Sequence, residues 1–584
     1  YQDGKKRNSR VVKSYDPTAI LSHDFKISQN QRLRTGVAFH YSLYSNSAVG
    51  FYNAPDPRPD YYRNLPSYLT DSANVNLRDE IASQWKFENG KPVNPSVSQL
   101  NWESMYQANY RNNAINPNGS AKYSVERRHS NLMETVFNST YTNQMNRALK
   151  LTAGVEAKYA KDMNYKTMED LLGGNQWIDI DQFAERDYPT NPDIIQNDIN
   201  NPNRVIKKGD IFGYKYDVNI YHSSAFVQNE WNWSKLDLYY AAQLTYTQFS
   251  RYGYMKNGRA PENSFGQGKV WWFVDPSFKA GATYKLNGRN RVYANVLAET
   301  RAPLPSGAYV SERIKDTRVP NLQSRKILSY DLNYSFLYPG VRGRVSGFRT
   351  YMLGTSENLG YYDDELRTFI NHMLTKSDKI YQGIEAGLSV KLNRSFSVST
   401  AGTFADYRYT NNAIGVKSYE NGVKPDFTEV VVTKDLKINS GPQLAANITL
   451  DYFHPKMWFA DVTLNYFDNN YLDFAPNRFT ESNLARYTTD EAKAALGTQE
   501  KLKGGFLLDA SVGKMIYLKN KKSLNFNVSF SNILNNTSMI TGGYQQARLP
   551  LVDNVLDMAN LNKFPNKYYY AWGFNLFVNI GYKF

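Results

Sequence analysis

Between residues 570 and 584 the chain alternates strictly. Tyr570, Trp572, Phe574, Leu576, Val578, Ile580, Tyr582 and Phe584 are apolar or aromatic, and all but one of the residues between them (Phe577) are small or polar. Successive side chains of a strand point to opposite faces, so this pattern predicts a strand with one continuous apolar face and one wet face. The segment exceeds the ~5–6 residues of an average strand and suffices for the ~9–11 that cross a bilayer at a tilt. The same alternation returns at 149–159, 444–452 and 524–530. For one strand, a soluble sandwich would explain the apolar face. For many long strands it would have to divide into domains, and no linker composition divides this chain.

The connections carry the argument further. Tight turns are expected at 29–31, 142–144, 233–235, 287–290, 338–340, 393–395, 454–456 and 519–522. Long connections run over 46–123, 165–210, 254–270, 301–321, 359–378, 411–437, 473–503 and 535–566, and the two kinds take turns. Short turns on one rim and long loops on the other are the asymmetry of outer-membrane barrels, whose short turns face the periplasm. The predicted fold is therefore all-β: a single transmembrane antiparallel β-barrel domain over residues 1–584, with about seventeen crossings, the first near 19–28. Bacterial single-chain barrels have an even strand number and a last strand that descends to the periplasm. Tracing back from such a strand starts the chain in an external loop, with an odd number of strands expected outside it.

Composition sharpens this picture. The 584 residues include Tyr 46, Phe 30 and Trp 9, yet the mean hydropathy is -0.60. A polar chain this rich in rings suits headgroup-level girdles and ring-stacking surfaces. No apolar run reaches the ~18 residues of a membrane helix, and Tyr1 opens a polar run with no signal-peptide core behind it. With Cys 0 there is no disulfide, thiolate metal site or cysteine nucleophile, which fits export through an oxidising compartment. The formal charge of +15 is spread along the chain without a basic block, so nucleic acid is not an expected partner.

Catalytic chemistry has no foothold. The six histidines (His23, His40, His129, His222, His372, His454) show no ligand spacing, and no nucleophile elbow, phosphate loop or zinc-protease motif is present. No cofactor, metal or catalytic residue is expected. Asp179 with Asp181, and Asp363-Asp364-Glu365, could offer oxygen ligands to calcium but read better as solvated loop acids. Charges at wet strand positions (Glu156, Lys158, Glu385, Lys391, Asp451, Asp461, Asp509) should line a watery lumen, as paired wall charges before a substrate path. Loop aromatics Tyr61, Tyr62, Trp85, Trp102, Tyr106, Tyr110 and Trp177 are the candidates for ligand or partner stacking, though any single one reads better as self-packing of the loops. Trp271 and Trp272, where a strand begins, suit a girdle as well.

Three segments carry a family resemblance. The run Asp56-Pro57-Arg58-Pro59-Asp60-Tyr61-Tyr62-Arg63, the stretch Phe530-Ser531-Asn532-Ile533-Leu534-Asn535-Asn536 with Gly542-Gly543-Tyr544 after it, and the terminal Gly581-Tyr582-Lys583-Phe584 resemble the barrel of TonB-dependent outer-membrane receptors of the Bacteroidota type. The resemblance implies a barrel of about 22 strands with an N-terminal plug, so the plug, its TonB-contacting box and about five strands are expected outside this chain. It implies uptake of a specific nutrient through a plugged barrel in the bacterial outer membrane. The partners implied are outer-membrane lipid and lipopolysaccharide, the inner-membrane TonB energising complex, and a surface lipoprotein. The alternative is a barrel that scaffolds surface lipoproteins or other outer-membrane partners without transport; an enzyme with a site among the loops would need a constellation the sequence lacks.

Overall fold

The computed structural model describes residues 7–69, 75–88, 91–363, 366, 368–420, 424–519 and 521–584. Asn520 of the last expected turn, and Asp364 and Glu365 of the acidic run, lie outside the described residues. Among the described residues twenty-one strands form one sheet, and four of them (Val12–Tyr15, Gly266–Gln267, Ala413–Tyr419, Phe427–Val431) are short extensions of it. The other seventeen form an antiparallel meander. In chain order, β1 to β6 are Thr18–Lys26, Gln31–Phe51, Tyr123–Gln144, Leu149–Asp170, Ile211–Asn232 and Leu236–Gly253. Strands β7 to β12 are Trp271–Lys285, Asn290–Arg301, Arg325–Tyr338, Val341–Asp363, Thr368–Lys391 and Phe396–Tyr409. Strands β13 to β17 are Leu444–Phe453, Trp458–Asp468, Gly505–Tyr517, Ser523–Ser531 and Asn575–Lys583. The seventeen crossings expected from the turn and loop alternation are thus present. Among the described residues the edge strands β1 and β17 each pair on one side only.

One face of this sheet is greasy and open. Leu332 on β9, Ile384 on β11, Phe404 on β12, Ile448 on β13 and Leu576 on β17 are all exposed, and Ile448 and Leu576 are among the alternate positions the sequence predicted. A water-soluble sheet would bury such a row, whereas a barrel gives it to lipid. No helix among the described residues is long and apolar enough to cross a membrane, which leaves crossing to strands.

Buried apolar clusters gather instead in the outer layer, among the long connections. One holds Trp102, Met105, Tyr123, Val125 and Leu172. Another holds Phe249, Tyr309, Val319, Leu322, Met373 and Val416. These connections are folded rather than irregular: Val75–Gln84 and Trp102–Ile115 are helices, and β10 and β11 run straight through much of the expected 359–378 loop. Ala413–Tyr419 pairs with the outer part of β11, and Phe427–Val431 pairs with Ala413–Tyr419 in turn, so the sheet continues outward there.

Several boundaries differ from the sequence reading, two of them for a visible reason. The turn after β3 falls at 145–148, because the Asn146 side chain accepts from the backbone N–H groups of Ala148 and Leu149, an Asx turn that sets the reversal. The last strand begins at Asn575, five residues later than the alternation suggested. Asn532 and Asn535 adopt left-handed backbone (φ 49° and 50°), and their side chains hold the Trp572 carbonyl and the Phe574 N–H. These backbone groups are therefore satisfied without a ladder. The expected girdle pair also separates: Trp272 is exposed on the lipid face, while Trp271 packs inward under Lys269 and Arg318.

Candidate functional site

Loops from distant parts of the chain converge over the external mouth. In the loop after β2, the buried Asp56 carboxylate accepts from the backbone N–H and Nε of Arg58, and Asn64 Nδ2 donates to the Arg58 carbonyl at 2.8 Å. That knot fixes the proline-rich run and presents Tyr62. Its ring lies 4.6 Å from that of Tyr61, 5.4 Å from Tyr68 and 5.5 Å from Phe564, with the Arg548 guanidinium 4.3 Å above it. Lys563 lies 4.9 Å over Tyr68. Lys567 Nζ donates to the Asp60 carbonyl at 2.7 Å, so the loop after β2 is tied to the loop before β17.

A second support comes from the segment between β14 and β15. Arg478 is buried and donates through Nη2 to the Phe564 carbonyl. Burial pulls its guanidinium down to about 10. Asn477 Nδ2 donates to the Ala547 carbonyl at 2.9 Å, and Asn483 Nδ2 to the Asn477 carbonyl at 2.6 Å. The third support is the outward sheet. There Lys417 pairs with Glu429 at 2.7 Å, both largely buried, and Ser482 Oγ donates to the same carboxylate. Burial pushes the Glu429 carboxyl up, but the hydrogen bonds from Lys417 and Ser482 more than offset it and leave it below its ordinary value. Between these supports lies a cavity of about 570 Å³, lined by Tyr62, Tyr419, Phe427, Phe564 and Arg486 among others. Pockets of this size bury most of a drug-sized ligand.

Beside the cavity, His372 on β11 is fully buried, and neither ring nitrogen has a hydrogen-bond partner among the described residues. Gly415 faces it so closely that a Cβ there would lie 2.6 Å from Nε2, so this position needs glycine. Burial first, then the nearby Lys417 ammonium, lowers the imidazole to about 3. A histidine that cannot take up a proton when folded, but does so near 6.5 when unfolded, contributes stability above that value and loses it as pH falls toward 3. At pH 5 the outward hairpin is expected to be about 2 kcal/mol less stable than at pH 7.5, and His372→Leu to abolish that pH dependence. Hydrogen exchange of residues 368–377 at the two pH values measures it.

Of the aromatics singled out in the sequence, only Tyr62 is among the described residues that line the cavity, with the Tyr61 ring tilted against it. Trp102 and Trp177 are core residues of the outer layer. Tyr106 and Tyr110 lie on one helix with their rings 6.2 Å apart, and Trp85 follows the helix Val75–Gln84. None of these five lines the cavity; Trp102 and Trp177 self-pack in loop cores, whereas Tyr110 is half exposed. The residues missed, such as Phe564, Arg548, Lys417 and Glu429, sit in loops hundreds of residues from Tyr62, and no local pattern marks them.

Most of the expected wall charges below are paired or hydrogen-bonded. Lys158 meets Glu134 at 3.2 Å, Glu156 meets His222 at 3.7 Å and Glu385 meets Arg344 at 3.7 Å. Asp509 accepts from Asn465, and Asp461 from Ser511. Asp451 stands opposite Asp461 across the ladder, and Lys391 makes no ion pair among the described residues. The loop acids considered for calcium are also engaged: Asp179 takes Arg204, Asn197 and the Gly213 N–H, and Asp181 caps a helix and pairs with Arg259. Asp363 accepts from the Leu366 N–H.

A family model described as "TonB dependent receptor-like, beta-barrel" matches residues 19–533, so the chain belongs to the TonB-dependent receptor family of outer-membrane proteins. No curated protein matches the sequence. Solved structures of similar fold include the ferric-catecholate import receptor Fiu from E. coli K12 (12% identity, TM-score 0.54, 98% of this chain and 64% of that one). Others are the siderophore receptor PiuA from Acinetobacter baumannii (11%, 0.54, 98% and 64%) and the pyoverdine outer membrane receptor FpvA from Pseudomonas aeruginosa PAO1 (12%, 0.53, 98% and 62%). This chain spans less than two thirds of the length of each of them.

Proposed function

We propose that the protein is an outer-membrane receptor that takes up one specific nutrient, captured in the cavity over its external mouth and passed through the barrel with energy from the inner-membrane TonB complex. The observation that carries this reading is the cavity itself: four separate loop systems, held by a buried ion pair and side-chain hydrogen bonds, converge on one ring-lined space above a polar wall. A scaffold that transports nothing would not need a preformed pocket of that kind. Lipid against the exposed apolar face, lipopolysaccharide above it and a surface lipoprotein over the mouth complete the proposed surroundings, and the Bacteroidota affiliation rests on the 56–63 run.

The test is genetic and works whatever the nutrient is. Across a panel of carbon, iron and vitamin sources, deletion of the gene and loss of the TonB complex are expected to share one growth defect. Restoring the gene with Tyr62→Ala, which removes a ring from the cavity wall, is expected to leave uptake of that nutrient about tenfold down. A deletion that grows normally on every source while other outer-membrane proteins fail to assemble would support the scaffold instead.

A further inference from the structure

The geometry points to the ligand class: the cavity at the mouth is built for an organic anion that carries several negative charges on a ring-bearing body. This rests on the receptor reading above and adds what the receptor captures. Among the described lining residues, six are cations and only Asp363 and Glu429 are acids. Glu429 is already taken by Lys417 and Ser482. By contrast, Lys424, Arg486 and Lys563 make no ion pair with any described carboxylate.

These three cations come from three different loop systems around one space of about 570 Å³. Like charges brought together without counterions repel one another, and a bound polyanion would relieve that cost. Between them stand rings. Phe427 is half exposed, and Tyr419 and Phe564 also line the space, so a flat or sugar-like body can lie against them while its acidic groups reach the cations. A neutral ligand would use the rings and leave the charges unmatched. A cation would meet repulsion.

Such an anion could be an acidic oligosaccharide or the iron complex of a tris-catecholate, and the two are separate arms of one experiment. The full-length receptor in detergent micelles is titrated calorimetrically with hexagalacturonate, with ferric tris-catecholate, and with a neutral hexasaccharide. One anionic probe is expected to bind and the neutral one not. Raising salt from about 0.05 to 0.5 M should weaken the binding several-fold. The variant K424Q/R486Q/K563Q, checked for unchanged heat-modifiable gel mobility, should weaken it at least about tenfold. Equal binding of the neutral hexasaccharide with no effect of the variant overturns the proposal, and so does failure of both anionic probes. In that last case a growth defect shared with loss of the TonB complex keeps the receptor reading and removes only the ligand class; absence of that defect removes the receptor reading.

Discussion

Arginine in place of Ile448 is expected to cost about 2–4 kcal/mol of barrel stability and most of the protein's assembly into the outer membrane. Ile448 sits midway along β13, exposed on the apolar face, with Leu464 opposite it on β14. If lipid is its solvent, a guanidinium there must thin the bilayer, draw in water or reach for the headgroups, and each route is costly. Ser399→Arg is the control. Ser399 lies on the other face of β12, opposite Thr449, and a charge there enters a wet lumen at a cost of under about 1 kcal/mol. Urea titration of each variant folded into vesicles, followed by heat-modifiable mobility, separates the two. Equal costs on both faces would mean that the apolar row packs against protein.

Trp102→Ala is expected to cost about 3–5 kcal/mol, but locally. Trp102 is 1% exposed at the start of the helix Trp102–Ile115. It packs with Met105, Tyr123, Val125 and Leu172 while the Arg7 guanidinium covers its ring at 4.2 Å. The helix itself is weakly amphipathic, capped by Asn101 and pinned by Asn109, whose amide donates to the carbonyls of Tyr123, Leu171 and Leu172. Asn112 and Asn113 add hydrogen bonds to the Ser120 and Gly173 carbonyls, but the indole is the largest buried side chain between the helix and the rim of the sheet. Loss of the indole should therefore raise trypsin cleavage within 75–122 by about tenfold or more, while the urea midpoint of the barrel stays put.

The contrast between those two sites explains what the sequence could tell. Lipid imposes one rule on every crossing, so Ile448, Leu576 and their counterparts repeat a period of two that can be counted along the chain. The turn after β3 shifted because a single Asx side chain decides where a reversal falls. The external layer obeys no such rule. An indole in a loop core and an indole on a ligand surface look alike in a sequence, which is why Trp102 and Trp177 stood beside Tyr62 as stacking candidates and proved to be core. Helix Trp102–Ile115 and the outward pair Ala413–Tyr419 with Phe427–Val431 stabilise themselves by tertiary packing, which leaves short and ambiguous patterns. The contact of Tyr62 with Phe564 is invisible until the fold brings both ends of the meander together.

That contact has a mechanical side. Asp60, Tyr62 and Tyr68 belong to the loop next to one unpaired margin of the sheet, and Lys563, Phe564 and Lys567 to the loop next to the other. The tie therefore joins the β1 and β17 ends of the sheet above the wall like a buckle on a belt, and the spacing of those ends sets the girth of the wall. A wider or narrower girth pulls first on the buckle, so the shape of the capture cavity is a gauge of the circumference beneath it.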